Sequence, residues 1–187
     1  MKKSLGAKGE LFPQSVFIIA TYDEGGTPNA MNAAWAGECG RDEVCFNIGG
    51  HKTTENIVKK GAFTVAPANR ANVVSADYFG IATGSKVNKA DGSGLTFTKS
   101  EHVDAPVIEE YPLTMECEVV SIDGDEHGAR VVGRVVNVLA DEGILDDEGR
   151  VDFDLFQPLV YDATRRIYRV VGEEVGGAWN VGRAPMD

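Results

Sequence analysis

Cysteine and histidine are scarce in this sequence. The three cysteines, Cys39, Cys45 and Cys117, are odd in number and form no CxxC pair. The sequence therefore indicates neither a disulfide framework nor a zinc site. The three histidines show no HxxxH or HxH spacing, so no metal site is expected.

Basic residues are also few. Eighteen Lys and Arg stand against 29 Asp and Glu, which gives a net charge of -11 and a pI of about 4.7. This balance argues against binding to nucleic acid, because phosphate contacts need clustered basic residues. It argues equally against an anionic membrane surface. Any bound phosphate must therefore be held by local basic side chains and backbone N–H groups.

Long hydrophobic runs are missing as well. The apolar run 16–20 is far too short to span a bilayer, and no signal peptide is evident after Met1. A cytoplasmic protein is expected. The 187 residues are 43% hydrophobic, and we find no linker or repeat, so we expect a single domain over residues 1–187.

Most of the chain has the pattern of β-strands. Strands are expected at 16–22, 27–35, 44–48, 62–66, 113–122, 129–139 and 166–171. The period of two places Asn29, Met31, Ala33 and Trp35 on one face of the second strand. Gly133 is expected to mark a bulge of the kind that closes barrels.

Helices are predicted to be few and short. The first spans 54–60 and ends at Gly61, and a second begins at Asn69 or Asn72 and stops at Gly80. A third is possible from Asp152, and 84–94 is expected to be a loop. Strands and helices do not alternate, and no dinucleotide or P-loop motif occurs. An antiparallel barrel fits best.

The segment His51 to Ile57 is the strongest indication of a ligand site. It follows a strand and a Gly-Gly pair and opens a helix. Thr53 and Thr54 at such a start, beside Lys52, leave several backbone N–H groups facing one point, which favours a phosphate. The alternative is that Thr53 or Thr54 only caps the helix.

The chain resembles the flavin reductase-like FMN-binding split barrels, and within them the flavoredoxin type. The resemblance covers roughly residues 12–179. It rests on the segments 27–37, 47–48, 53–57, 77–80, 84–89 and 112–117, and on Tyr161. The resemblance implies a mainly β fold, an FMN-binding split β-barrel formed as a six-stranded antiparallel Greek-key barrel with short peripheral helices. It also implies a homodimer with FMN near the interface.

The resemblance further implies a set of cofactor-binding residues. The isoalloxazine ring would lie against Asn29, Ala33, Ala34, Trp35 and Ala36. The ribityl chain and phosphate would be held by Asn47, Ile48, Lys52, Thr53, Thr54, Asn56 and Lys86, with Lys89 and Tyr161 approaching from later segments. Alternatives remain for several of these residues: Trp35 in core or interface packing, Lys86 and Lys89 as solvated charges, and Tyr161 in a turn.

We therefore expect a flavoprotein that passes electrons from NAD(P)H through bound FMN to a flavin, ferric or protein acceptor. The cofactor would supply the redox chemistry, so no catalytic side chain is assigned. The alternative is an FMN-binding electron-transfer protein without its own nicotinamide site, for which the acidic surface would favour a basic redox partner. A split barrel that has lost its flavin is a third possibility.

Overall fold

The computed structural model describes residues 1–9 and 12–183, and strands dominate its architecture. The strands are β1 (Gln14–Ser15), β2 (Phe17–Tyr22), β3 (Pro28–Ala33), β4 (Ala36–Glu38), β5 (Glu43–Gly49), β6 (Ala62–Pro67), β7 (Phe97–Lys99), β8 (Pro106–Ile108), β9 (Leu113–Asp125), β10 (Gly128–Ala140), β11 (Leu159–Asp162) and β12 (Ile167–Val170). The helices are α1 (Lys52–Lys60), α2 (Val73–Ile81), α3 (Lys89–Ser93) and α4 (Phe153–Phe156), with short 3₁₀ turns at Arg70–Asn72 and Glu142–Ile144. The expected mainly β fold with short helices is confirmed.

The main sheet has seven antiparallel strands in the order β3-β2-β6-β9-β10-β5-β4. Strands β3 and β4 lie at its two edges, yet only Ala34 and Trp35 separate them along the chain. Three Cα steps span at most about 11 Å, so the sheet must curl until its edges meet at this bend. Counted as one bent segment, β3 and β4 reduce the seven strands to the six of the expected split barrel.

Two apolar cores lie on opposite faces of this sheet. Inside the barrel, Ile19, Met31 and Phe46 are among the buried residues of one cluster. On the outer face, Ile18 and Phe79 belong to a second cluster, between the sheet and α2. Strand β2 is apolar from Phe17 to Ala20 because its alternate residues enter the two cores. This second core fixes α2 and the residues that follow it beside β3.

Several boundaries differ from the prediction. Helix α1 begins at Lys52, two residues before the predicted start, and α2 continues through Gly80 to Ile81. The predicted loop 84–94 contains α3, because the Asn88 side chain accepts hydrogen bonds from two backbone N–H groups and starts the helix. The glycine-rich composition of this segment had indicated a loop, so the helix start at Asn88 was not predicted.

The second predicted strand was too long at its C-terminal end. β3 ends at Ala33, and Trp35 lies in the bend with 60% of its surface exposed, whereas Asn29, Met31 and Ala33 share the buried inner face. The bend rotates Trp35 out of the β3 alternation, so the prediction that it shares their face is wrong. The bend also allows one continuous chain segment to form both edge strands, β3 and β4.

Other local predictions are confirmed. Gly61 ends α1 with a left-handed φ of 66°, and the ladder between β9 and β10 shifts register at Gly133. Asp152 caps α4 through its side chain. Among the described residues, no helix is long and apolar enough to cross a membrane. Trp179, in the segment 172–183 after β12, is 93% exposed.

Candidate functional site

The N-terminus of α1 presents free backbone donors. His51 holds the N-cap position in an extended conformation, and its side chain makes no capping hydrogen bond. The first helical donation runs from Glu55 N–H to the His51 carbonyl at 3.1 Å. Helical geometry therefore leaves the N–H groups of Lys52, Thr53 and Thr54 without intrahelical partners, which favours an anion. The alternative prediction, that Thr53 or Thr54 caps the helix, is wrong.

The two threonine hydroxyls have other partners. Thr54 Oγ1 donates to the Gly49 carbonyl at 2.5 Å, which fixes the strand-to-helix turn. Thr53 Oγ1 accepts from Asn29 Nδ2 at 2.8 Å and so joins α1 to β3. Asn29 Oδ1 is buried and has no hydrogen-bond partner among the described residues. A buried polar atom without a partner is costly, so a ligand donor would stabilise it.

A cavity of about 180 Å³ lies between the start of α1, β3, the end of α2 and the loop before α3. A second opening of about 300 Å³ adjoins it. Both are lined by Asn29, Lys52, Gly84, Ser85 and Lys89. A Cβ at Gly84 would lie 2.4 Å from Asn29 Oδ1, so glycine is required for the loop to approach β3. We call these two connected openings the α1 cavity.

Lys89 is the most unusual charged group of the α1 cavity. Its side chain is only 5% exposed, and Nζ donates to the Phe79 carbonyl at 2.9 Å. Burial lowers the pKa of Lys89 to about 8. No carboxylate lies within ion-pair distance of it among the described residues. A buried ammonium group without an anion gains stability from one that binds beside it.

The other lysines of the α1 cavity are more exposed. Lys52 Nζ lies 3.9 Å from Asp23 Oδ2, and Lys86 lines the second opening. Against these cations and Lys89, the lining contributes the carboxylates of Asp23 and Glu55. The lining therefore carries more positive than negative charge, although the whole protein is acidic. A phosphate is the ligand group that matches these donors and charges.

Five of the predicted site residues come together in the α1 cavity: Asn29, Lys52, Thr53, Lys86 and Lys89. Asn56 does not line it. Its Nδ2 donates to Thr21 Oγ1 at 3.0 Å, and the side chain is 1% exposed, so this contact holds α1 against β2.

A second group of predicted residues surrounds the bend between β3 and β4. Trp35 and Asn47 are exposed there, and the Asn47 N–H donates to the Trp35 carbonyl at 3.0 Å. Ala34 and Ala36 are partly buried, and Ala36 also lines an apolar cavity of about 330 Å³. The bend therefore offers the exposed aromatic surface of Trp35, and none of these four residues lines the α1 cavity.

The remaining predicted residues lie elsewhere. Ala33 and Ile48 belong to the barrel core. The Tyr161 ring packs against Tyr168 with centroids 5.8 Å apart. His51, Gly84 and Ser85 also line the α1 cavity; they lie in the segments 51–57 and 84–89 that the sequence pointed to, but they were not among the predicted cofactor-binding residues. The Gly-Ser pair at the start of the predicted loop was the available signal.

The residues of the α1 cavity fit the polar end of FMN. Free N–H groups and three lysines suit the phosphate. The orphaned Asn29 Oδ1 suits a hydroxyl or N–H of the ligand.

Comparisons with known proteins agree with this fit. The model of the flavin reductase like domain family matches residues 9–170. Flavoredoxin of Desulfovibrio vulgaris (Miyazaki F) is 35% identical, with 97% of this chain and 100% of that chain covered and a TM-score of 0.91. Flavoredoxin from Methanosarcina acetivorans is 25% identical, with 99% and 100% covered and a TM-score of 0.88.

The FMN-binding protein from Thermus thermophilus is a more distant structural match. It is 20% identical, with 95% of this chain and 97% of that chain covered and a TM-score of 0.76, which shows the shared fold alone. The family match spans most of the chain, and it includes both the barrel and the α1 cavity. This protein therefore belongs to the flavin reductase like domain family, whose members include flavin-related oxidoreductases.

Proposed function

We propose that this protein is an FMN-dependent oxidoreductase that receives electrons from NADH or NADPH and passes them to a flavin, ferric or protein acceptor. The observation that carries the proposal is the buried ammonium group of Lys89, which lines the α1 cavity together with a helix N-terminus. The likeness to two flavoredoxins supports it.

FMN would supply hydride acceptance and electron release, and the chain's own residues would bind and orient it. The first-turn N–H groups of α1, with Lys52, Lys86 and Lys89, would hold the phosphate. The hydrogen bond to Thr53 fixes the Asn29 amide, and Asn29 Oδ1, which has no partner among the described residues, would accept a donor of the ligand. The residues of the β3–β4 bend, Ala34 and Trp35, would border the ring. Thr54 and Asn56 would act by positioning α1.

We further propose a homodimer. Trp35 and Trp179 are 60% and 93% exposed, and large exposed aromatic side chains favour contact with a partner chain. A C2 interface would bring the same surfaces together from both copies. The molar mass in solution, measured by light scattering, tests this. The cytoplasmic location and the single domain over 1–187 stay predictions.

A second candidate is an electron carrier that binds FMN but has no nicotinamide site of its own. The net charge of -11 favours it, because an acidic surface would speed docking to a basic redox protein. In that case electrons would enter from the partner rather than from NADH or NADPH.

Visible absorbance spectra distinguish the two candidates. The purified protein is mixed with FMN, freed of unbound flavin and then given NADH or NADPH without oxygen. Bleaching by a nicotinamide would establish the oxidoreductase and identify the donor. Bleaching only by dithionite would favour the carrier. A protein that leaves the FMN spectrum and fluorescence unchanged would refute both, and the α1 cavity would then serve another anion.

A further inference from the structure

A second cavity, of about 360 Å³, lies on the outer face of the barrel between the β7–β8 hairpin and β9. Met115 and Cys117 of β9 face the barrel core, so Thr114 and Glu116 face the opposite side. The cavity shares no lining residue with the α1 cavity among the described residues. We call it the Glu116 cavity, and the proposed flavin chemistry does not use it.

Glu116 is only 1% exposed and lacks a strong cationic partner. Its Oε1 accepts from the Ser100 hydroxyl and its Oε2 from Asn137 Nδ2, both neutral donors. The nearest basic group among the described residues is His102 Nε2, 3.9 Å from Oε2. Because a buried carboxylate is costly unless it is paired, the site favours a cation.

Thr114 provides an independent observation at the same place. It lines the Glu116 cavity, is 2% exposed, and its hydroxyl has no hydrogen-bond partner within the described part of the chain. The structure therefore leaves a polar group unsatisfied two residues from the buried carboxylate, on the same face of β9. A ligand donor that reached both groups would satisfy the pair.

The rest of the lining restricts the ligand further. The exposed rim of the cavity carries three carboxylates, those of Glu101, Glu109 and Asp141, and one lysine, Lys99. The electrostatic potential at the cavity therefore favours a positively charged ligand. Apolar walls are provided by Ile108 and Leu139. A cation with a hydrocarbon body matches this combination, and the volume is that of a small-molecule site.

We propose that the Glu116 cavity binds a small primary amine. Its ammonium group donates to the Glu116 carboxylate and to the Thr114 hydroxyl oxygen, and its hydrocarbon part lies against Ile108 and Leu139. This site is separate from the proposed flavin function and does not depend on it.

A purely structural role for Glu116 is the competing explanation. Ser100 Oγ accepts from the N–H groups of His102 and Val103 at 3.0 and 2.9 Å, and Glu116 anchors Ser100. Such a role would hold the turn 100–103 in place and would need no ligand. The two explanations differ in whether the wild-type protein binds an amine.

Isothermal titration of the wild-type, FMN-supplemented protein with benzylamine and with benzyl alcohol tests the proposal. The two probes have nearly the same shape and differ in charge. We expect saturable binding of benzylamine at one site per chain, at least about tenfold tighter than benzyl alcohol, since a charge-assisted hydrogen bond is lost with the alcohol. Equal affinities, or no saturable binding of benzylamine, would overturn the proposal.

Two variants locate the site. Glu116→Gln keeps the shape and removes the charge, and we expect it to bind benzylamine no better than benzyl alcohol. Glu118→Gln changes an exposed residue on the same face of β9 outside the cavity, and it should keep wild-type affinity. Benzylamine affinity that survives Glu116→Gln would place the amine elsewhere. If Glu116→Gln does not fold, the comparison of the two probes on the wild type decides.

Discussion

Replacement of Lys89 by methionine should stabilise the flavin-free protein and weaken its binding of FMN. Methionine keeps the apolar stem and removes the ammonium group from a side chain that is 5% exposed. A substitution that only damaged packing would lower both the stability of the flavin-free protein and its affinity for FMN. A gain in stability together with a loss of affinity is expected only if the ammonium group is costly to bury and contributes to ligand binding.

The size of the stability effect follows from the pKa. Burial lowers the pKa of Lys89 from 10.5 to about 8. At about 1.4 kcal/mol per pH unit, keeping Lys89 charged in the folded state costs about 3 kcal/mol below pH 8. Between pH 8 and 10.5 the unfolded chain holds more protons than the folded one, so wild-type stability rises with pH across that window.

Methionine removes this cost but also loses the hydrogen bond to the Phe79 carbonyl, which contributes about 1 kcal/mol. We therefore expect Lys89→Met to be more stable than the wild type by about 2 kcal/mol at pH 7 and less stable by about 1 kcal/mol near pH 10.5. Urea unfolding of the flavin-free proteins, followed by circular dichroism at one protein concentration, measures both values.

FMN affinity should change in the opposite direction. Loss of a charge-assisted contact to the phosphate weakens binding by about tenfold or more at pH 7. Wild-type affinity should also fall as the pH rises above about 8, because the free protein then loses the Lys89 proton, whereas Lys89→Met should show no such fall between pH 8 and 9.5. Quenching of FMN fluorescence gives these affinities.

Lys59→Met is the matched control. Lys59 lies on α1 in an exposed ion pair with Glu24 at 2.6 Å, so its loss should change stability by less than about 1 kcal/mol. The reasoning about Lys89 would be refuted if Lys89→Met were less stable than the wild type by the same margin at pH 7 and at pH 10.5. That result would mean that burial does not penalise the charge of this lysine.

Three further substitutions test the packing of the site and the barrel. Thr53→Val removes the acceptor for Asn29, and we expect FMN affinity in a fluorescence titration to fall about tenfold; an unchanged affinity would argue against a role of Asn29 in binding. Gly84→Ala places a Cβ 2.4 Å from Asn29 Oδ1, so we expect both the FMN affinity and the melting temperature to fall. A lower melting temperature with unchanged FMN affinity would argue against a role of this loop in FMN binding. Gly133→Ala places a Cβ 2.3 Å from the Phe63 ring and should lower the free energy of unfolding in urea by about 1–3 kcal/mol; full stability would mean that Phe63 shifts freely.

Local chemistry made much of the fold predictable. The apolar strands and the hairpin of β9 and β10 follow from alternation and composition, and Gly61 follows from the conformation that ends a helix. The bulge at Gly133 could be anticipated because glycine inside a strand often marks one. These features depend on residues close together in the chain, so the local sequence is sufficient to predict them.

The details of the site depend on contacts between distant residues. Thr53 meets Asn29 across 24 residues, and Asn56 meets Thr21 across 35. The sequence of α1 alone does not show that Thr53 lines the α1 cavity whereas Asn56 contacts β2. The burial of Lys89 could not be predicted either, because a lysine in a glycine-rich segment is expected to be solvated; its ammonium group is buried beside the Phe79 carbonyl of α2.

Under the proposed function, the protein would hold an anionic cofactor despite an overall charge of -11. Repulsion between the whole protein and the FMN phosphate acts over long distances and is screened beyond about 10 Å at 0.1 M salt, whereas contacts inside the α1 cavity are screened much less. The association rate of FMN, measured by stopped-flow fluorescence, should therefore rise between 10 and 150 mM salt. A basic phosphate site on a neutral protein would behave in the opposite way. A rate that falls with salt would mean that the field of the three lysines dominates the approach and that the acidic surface serves only solubility or a partner protein.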